Sequence, residues 1–117
     1  MNGEFSEEKA KASDWFRQLR DQICDAFEAV EDSQTTGRFA DQPAGRFELT
    51  PTQRNSENET DAGGGLMSVM RGGRVFEKVG VNISTVYGTL NSRAVASMAA
   101  KKNLPDMHDD PRFWASG

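Results

Sequence analysis

Between Gly63 and Gly88 the chain reads GGGLMSVMRGGRVFEKVGVNISTVYG, and this stretch constrains the fold more than any other. From Arg74 to Tyr87 it is dense in β-branched and aromatic residues (Val75, Phe76, Val79, Val81, Ile83, Thr85, Val86, Tyr87) and free of proline. Such side chains suit the pleated, half-buried surface of a strand, here one longer than the usual run of roughly five or six residues. Gly72-Gly73 separates two extended runs and offers the positive φ angles of a two-residue hairpin turn. The sequence therefore predicts a β-hairpin over 66–87, with Leu66–Arg71 and Arg74–Tyr87 as its arms. Val79, Val81, Ile83, Thr85 and Tyr87 alternate with Lys78, Gly80, Asn82 and Ser84, so one face seeks a core while the other carries small polar groups. Gly80 predicts a bulge or a close approach to the backbone. The glycines at 63–65 predict a sharp turn into the sheet, with a glycine loop that also borders a bound ligand as the alternative. No Gly-Lys-Ser/Thr follows them and the next element is a strand, which excludes a P-loop.

Ahead of this block, Ala12, Trp15, Phe16, Leu19, Ile23, Phe27 and Val30 recur at three- and four-residue spacing and predict one amphipathic helix over 6–31. Ser6 is placed to cap it, and Glu7 and Glu8 suit the positive end of its dipole. Asp14, Arg17, Gln18, Asp21, Asp25 and Glu28 form its solvated face. Residues 33–62 read as a polar loop, with a short edge strand at 46–50 ending at Pro51 and plain loop around Asn55–Asp61. A short helix over 92–102, capped by Asn91 or Ser92 and striped by Ala94, Val95, Met98 and Ala99, is expected to cover one sheet face. The fold class is α+β.

Only 36% of the 117 residues are hydrophobic, and two strands with two helices would leave a long sheet edge unpaired. With Phe113 and Trp114 close to the last residue, the chain reads as the amino-terminal part of a longer protein. A net charge of −4 with few clustered cations excludes a nucleic-acid surface. The single Cys24 sits among helical apolar residues as a buried or half-buried thiol, in keeping with a reducing compartment. The polar start of the chain and the lack of a long apolar run point to a cytoplasmic protein without a membrane span. Asn58-Glu59-Thr60 and Asn82-Ile83-Ser84 match glycosylation spacing by chance. His108, the only histidine, lies among Asp106, Asp109 and Asp110 in ordinary loop sequence between prolines, and no catalytic or metal-binding constellation is visible.

Gly63-Gly64-Gly65, Val75-Phe76-Glu77-Lys78, Gly80-Val81-Asn82, Ser84 and Val86-Tyr87-Gly88 resemble the signature region of oxygen-dependent coproporphyrinogen III oxidases. Asp109-Asp110-Pro111-Arg112-Phe113-Trp114-Ala115-Ser116-Gly117 resembles the bacterial members of that family. The resemblance implies a large antiparallel sheet flanked by helices on both sides, and a homodimer. It implies the oxidative decarboxylation of two propionates of coproporphyrinogen III to the vinyl groups of protoporphyrinogen IX. Molecular oxygen is the co-substrate, no organic cofactor takes part, and there is room for a divalent metal with ligands outside this chain.

By the same resemblance, Val75, Phe76, Glu77, Lys78, Val79, Gly80, Val81, Asn82, Ile83 and Ser84 are associated with dimerisation. The family's substrate-binding serine and its metal-associated and proton-donating histidines belong to strands expected after Gly117, so no catalytic residue and no metal ligand is assigned here. Arg71, Arg74, Asn82 and Ser84 are the substrate-facing candidates, the arginines as partners for a propionate. Two positions depart from the family pattern: Thr52-Gln53-Arg54 where a tryptophan commonly stands two residues before the arginine, and Val86-Tyr87-Gly88 where Val-His-Gly is common. A tyrosine cannot titrate near neutrality as a histidine does. Besides an incomplete and by itself inactive part of such an enzyme, a non-catalytic dimerising module of the same fold remains open.

Overall fold

The structure, a computed structural model, describes residues 5–55, 61–102 and 110–117. Its elements in chain order are α1 (Ser6–Ser33), β1 (Glu48–Gln53), β2 (Gly63–Arg71), β3 (Lys78–Thr89), α2 (Ser92–Lys102) and β4 (Arg112–Ser116). The strands form one sheet in the order β1-β2-β3-β4, every neighbouring pair antiparallel. The architecture is α+β, as the sequence indicates.

The alternation along β3 holds. Val79, Val81, Ile83, Thr85 and Tyr87 are half-buried, while Lys78, Gly80, Asn82 and Ser84 are exposed. Residues paired across an antiparallel ladder share a face. The inner face thus adds Met70, Ser68 and Leu66, the partners of Val79, Val81 and Ile83. Met70 and Ser68 are fully buried there, and α1 is the helix that packs along β3.

Within α1 the inward residues are not all apolar. Phe16, Arg20, Ile23, Phe27 and Glu31 follow one another at helical spacing on the covered side, and Arg20 and Glu31 are buried. Trp15 and Val30, expected in the apolar stripe, are 50% and 44% exposed. Phe27 makes edge-to-face contacts with Phe47 and Phe76, with ring centroids 6.3 and 4.9 Å apart. This aromatic cluster closes over the carboxyl end of the helix. Ser6 does not cap α1: Phe5 holds that position in a left-handed conformation (φ 58°) without a side-chain cap, leaving Glu7 and Glu8 to meet the dipole.

Several expected boundaries move. The hairpin turn is not the two-residue Gly72-Gly73 connection, because β3 starts at Lys78 and pairs it with Arg71, leaving 72–77 as the connection. Arg74, Val75 and Phe76 give their backbone N–H groups to the Glu31 carboxylate instead of to a ladder. β1 begins at Glu48 and runs through Pro51 to Gln53, which an edge strand tolerates because half of its N–H groups face outward. Gly63–Gly65 are strand residues of β2 and make no turn. A Cβ on Gly64 would run into the Thr52 carbonyl of β1, and one on Gly65 into the Ile83 carbonyl of β3, so the strands close in where side chains are missing. Gly80 pairs regularly with Val69 and forms no bulge.

Two further expectations are corrected. β4, unforeseen as a strand, pairs Arg112–Ser116 with Thr89–Thr85, so the sheet edge is partly closed. The helix on the described sheet is α1 rather than α2, whose buried residue Val95 borders a small cleft with Leu90 and Pro111. Asn91 caps α2 by accepting from the Ala94 N–H at 2.8 Å. Residues 56–60, with most of the expected Asn55–Asp61 loop and the first glycosylation match, lie outside the described residues, as does His108.

Gly73 leaves no room for a side chain: a Cβ there would stand 2.5 Å from Glu31 Oε2 and 2.6 Å from its Cδ. Gly72 has open space but a φ of 62°. Gly73→Ala is expected to cost about 3 kcal/mol through overpacking, against about 1 kcal/mol for Gly72→Ala through left-handed strain. Chemical denaturation of the two variants checks the order; equal losses would contradict it.

Candidate functional site

The four substrate-facing candidates do not stay together. Arg71, Asn82 and Ser84 alternate onto the sheet face turned away from α1, although Ser84 also borders a cleft beside Phe16 and Arg20 of that helix. Arg71 opposes Lys78, Val69 opposes Gly80, Met67 opposes Asn82 and Gly65 opposes Ser84. At a rise of roughly 3.3 Å per residue, Lys78 to Ser84 spans about 20 Å of this face. Arg71 and Lys78 put positive charge at one end; Asn82 and Ser84 supply hydrogen-bonding groups towards the other. The Asn82 Oδ1 accepts from the Ser68 N–H at 3.2 Å, which fixes the amide and leaves its NH2 group to donate.

Arg74 stands apart in the 72–77 connection. Its Nε donates to the Gln42 carbonyl at 2.6 Å and its Nη1 to the Gln34 carbonyl at 3.4 Å, so its guanidinium ties the turn to the segment after α1.

The ten residues from Val75 to Ser84 divide in two. Val75 and Phe76 anchor the turn, their N–H groups 2.8 and 2.9 Å from Glu31 Oε2, and Phe76 packs on Phe27. Lys78–Ser84 lie on β3, whose outer edge is joined to β4 from Thr85 onward and, through two backbone bonds of 2.8 and 3.0 Å, to Gly117 at Ser84. Among the described residues, the edge from Lys78 to Ile83 carries no strand.

Glu31, which the periodicity placed at the helix end without a role, organises this region. Its carboxylate accepts from Gly45 N–H at 2.8 Å, Arg74 at 2.6 Å, Val75 at 2.8 Å and Phe76 at 2.9 Å. Burial pushes its pKa up, but the four N–H donors outweigh burial and hold it at about 2, against an ordinary 4.5. The signal available in sequence was positional: Glu31 stands four residues after Phe27 on the inward stripe, as Arg20 does after Phe16.

Tyr87, one of the two departures from the family pattern, donates its hydroxyl to Asp61 Oδ1 at 2.7 Å. That bond raises the Tyr87 pKa and lowers that of Asp61, which also accepts from the Gly63 N–H. The phenol thus fastens the strand entry to β3. At the other departure, the Arg54 guanidinium lies 5.6 Å from the Phe113 ring centroid. Cys24 is half-buried, with burial raising its pKa. Among the described residues no group of three His, Cys, Asp or Glu side chains could hold a metal ion, and no helix is long and apolar enough to cross a membrane.

A long amphipathic helix laid on an antiparallel sheet, with an open polar face and a glycine-lined strand, defines an α+β domain built around a central sheet. The family model for coproporphyrinogen III oxidase matches residues 11–117, and the chain belongs to that family. A curated relative from Rickettsia felis, an oxygen-dependent coproporphyrinogen-III oxidase, is 43% identical over 113 residues, which is 95% of this chain and 35% of the relative. Equally named proteins of Rickettsia africae and Rickettsia bellii are 42% and 40% identical over 95% and 90% of this chain, and 35% and 33% of their own lengths. The chain therefore spans about a third of the length of these relatives. No solved structure shows a significant match.

Because the folded pKa of Glu31 lies below the ordinary value, its stabilising contribution is complete above about pH 4.5 and is lost as the pH falls towards about 2. Glu31→Gln should destabilise the protein at pH 7 by about 3 kcal/mol, with the difference from wild type vanishing near pH 2. Asp110, held at about 2 by its hydrogen bond from Arg112, contributes equally to both proteins and cancels in that comparison. Unfolding curves across this pH range provide the check.

Proposed function

We propose that the protein carrying this chain catalyses the oxygen-dependent oxidative decarboxylation of coproporphyrinogen III to protoporphyrinogen IX, a step of haem and porphyrin biosynthesis. Two propionates lose carbon dioxide and become vinyl groups, and molecular oxygen takes the electrons and leaves as hydrogen peroxide. No organic cofactor enters the reaction; a divalent metal, where one takes part, draws its ligands from outside this chain. The carrying observation is the family match over residues 11–117 together with relatives that bear this activity in their names.

In this reading the chain contributes the first helix layer and first strands of the enzyme's sheet, and by itself is inactive. Its open face supports contact with the substrate: Arg71 suits a propionate through charge-assisted hydrogen bonds, while Asn82 and Ser84 offer polar partners beside a flat stretch of backbone. The protein works in the cytoplasm as a homodimer, with Val75–Ser84 in the dimer contact; the exposed side chain of Val75 favours that role.

The test is oxygen uptake and protoporphyrinogen formation by the intact protein supplied with reduced coproporphyrinogen III. Activity is expected, and Arg71→Gln should raise KM about tenfold, the loss of one charge-assisted hydrogen bond worth about 1.4 kcal/mol. Absence of turnover by the intact dimer would overturn the reading.

A further inference from the structure

Where α1 runs along β3 it leaves the inner side of β1 bare, and Leu49, which opposes the buried Ser68 on that side, is 57% exposed. A cleft of about 370 Å³ opens there between the helix flank and the strands. Asp21, Asp25 and Glu28 line it from α1 with Cys24 among them, and Phe47 and Leu49 line it from the other side. Arg20, its one cation among the described residues, is taken up by Asp21, to whose Oδ1 its Nε and Nη2 donate at 3.1 and 2.7 Å. Asp25 and Glu28 thus leave the cleft with an excess of negative charge. Arg71, Arg74, Asn82 and Ser84 do not border it, so it is separate from the substrate-facing set.

Ser68 is the informative residue. It lines the cleft from β2, it is fully buried, and its Oγ has no hydrogen-bond partner among the described residues. A hydroxyl offers one donor and two acceptor lone pairs, and burying it unpaired is costly unless a ligand supplies the missing partner. The Cys24 thiol reports the sign of the cleft independently: burial pushes its pKa up, Arg20 pulls it down, and Glu28, Asp21 and Asp25 each push it up. Glu28 Oε2 accepts from the Phe47 N–H at 3.0 Å, which holds that carboxylate against the β1 side with Oε1 still to offer. Among the described residues no group of three His, Cys, Asp or Glu side chains could hold a metal ion, so the charge here suits an organic cation.

We propose that this cleft is a binding site for a short aliphatic diamine. One ammonium group donates to Ser68 Oγ and Glu28, the other meets Asp25 at the mouth, and the methylene chain between them lies along Leu49 and Phe47. An ammonium carries three donors and no acceptor, which matches a lining of lone pairs, and the methylenes take apolar surface of Leu49 out of water. The volume is near the lower end of the roughly 300–1,000 Å³ seen for ligand pockets, which suits a short chain and not a tetrapyrrole. A bound diamine would join the flank of α1 to β1 and β2, where the helix does not cover the sheet.

Isothermal titration of the intact protein with putrescine, at ionic strength held constant with sodium chloride, tests this directly. Saturable binding is expected, and Ser68→Ala should weaken it about tenfold, the loss of one charge-assisted hydrogen bond. That variant removes an unpartnered buried hydroxyl and keeps the backbone N–H that donates to Asn82 Oδ1, so without ligand its unfolding midpoint should equal or exceed that of wild type. Leu49→Trp, a change at an exposed position that fills the cleft from β1, should abolish binding. Absence of saturable binding, as when another part of the protein fills the cleft, would overturn the site, and so would an affinity left unchanged by either variant. Magnesium is the competing probe: Ser68-dependent binding of magnesium without binding of putrescine would overturn the organic assignment.

Discussion

The Glu31 carboxylate collects four backbone N–H groups from two distant segments, Gly45 on one side and Arg74, Val75 and Phe76 on the other. A buried charge is costly unless its hydrogen-bonding capacity is filled, and here it is filled by groups that would otherwise be orphans of a loop and a turn. The surroundings are shaped to fit. Gly45 and Gly73 have no side chains where a Cβ would strike Met70 or the carboxylate itself, and the Phe27–Phe47–Phe76 cluster shields the bonds from water. Through this one group the end of α1, the segment before β1 and the β2–β3 connection become a single unit.

The position of the sheet follows. With the N–H groups of Arg74, Val75 and Phe76 committed to Glu31, β3 begins at Lys78, and its alternation then turns Val79, Val81 and Ile83 inward while Lys78, Asn82 and Ser84 are exposed. A turn of two residues would let Val75 and Phe76 extend the ladder and would take the aromatic lid off the carboxylate. The segment from Val75 to Ser84 therefore does two jobs in sequence: its first part anchors the turn on Glu31 and its second part is a strand of the sheet.

Much of this was legible from residue pattern alone. The period-two alternation after Val79 gave the correct facing of β3, and the apolar stripe of 92–102 gave α2 with its Asn91 cap. What escaped were features decided by partners far away in sequence. Glu31 and Arg20 sit on the inward stripe of α1, but periodicity counts apolar residues and passes over charged ones. The glycine pair at 72–73 signalled a tight turn because nothing local reveals that a carboxylate will claim the next three N–H groups. β4 is five residues with two adjacent aromatics after a proline, too short for alternation to show, and it becomes a strand by pairing with β3. The substrate-facing set was legible only in part: three residues share a face through the register, and Arg74 is drawn away by loop carbonyls.

The claim on which the account rests is that Glu31 is ionised in the folded protein and held by those four N–H groups. Carboxyl carbon-13 titration of Glu31 by NMR, followed together with the amide protons of Gly45, Arg74, Val75 and Phe76, measures both at once. The account predicts a carboxyl that titrates at about 2, with all four amide signals moving along the same curve. A Glu31 that titrates near the ordinary 4.5 while those amides stay still would contradict it.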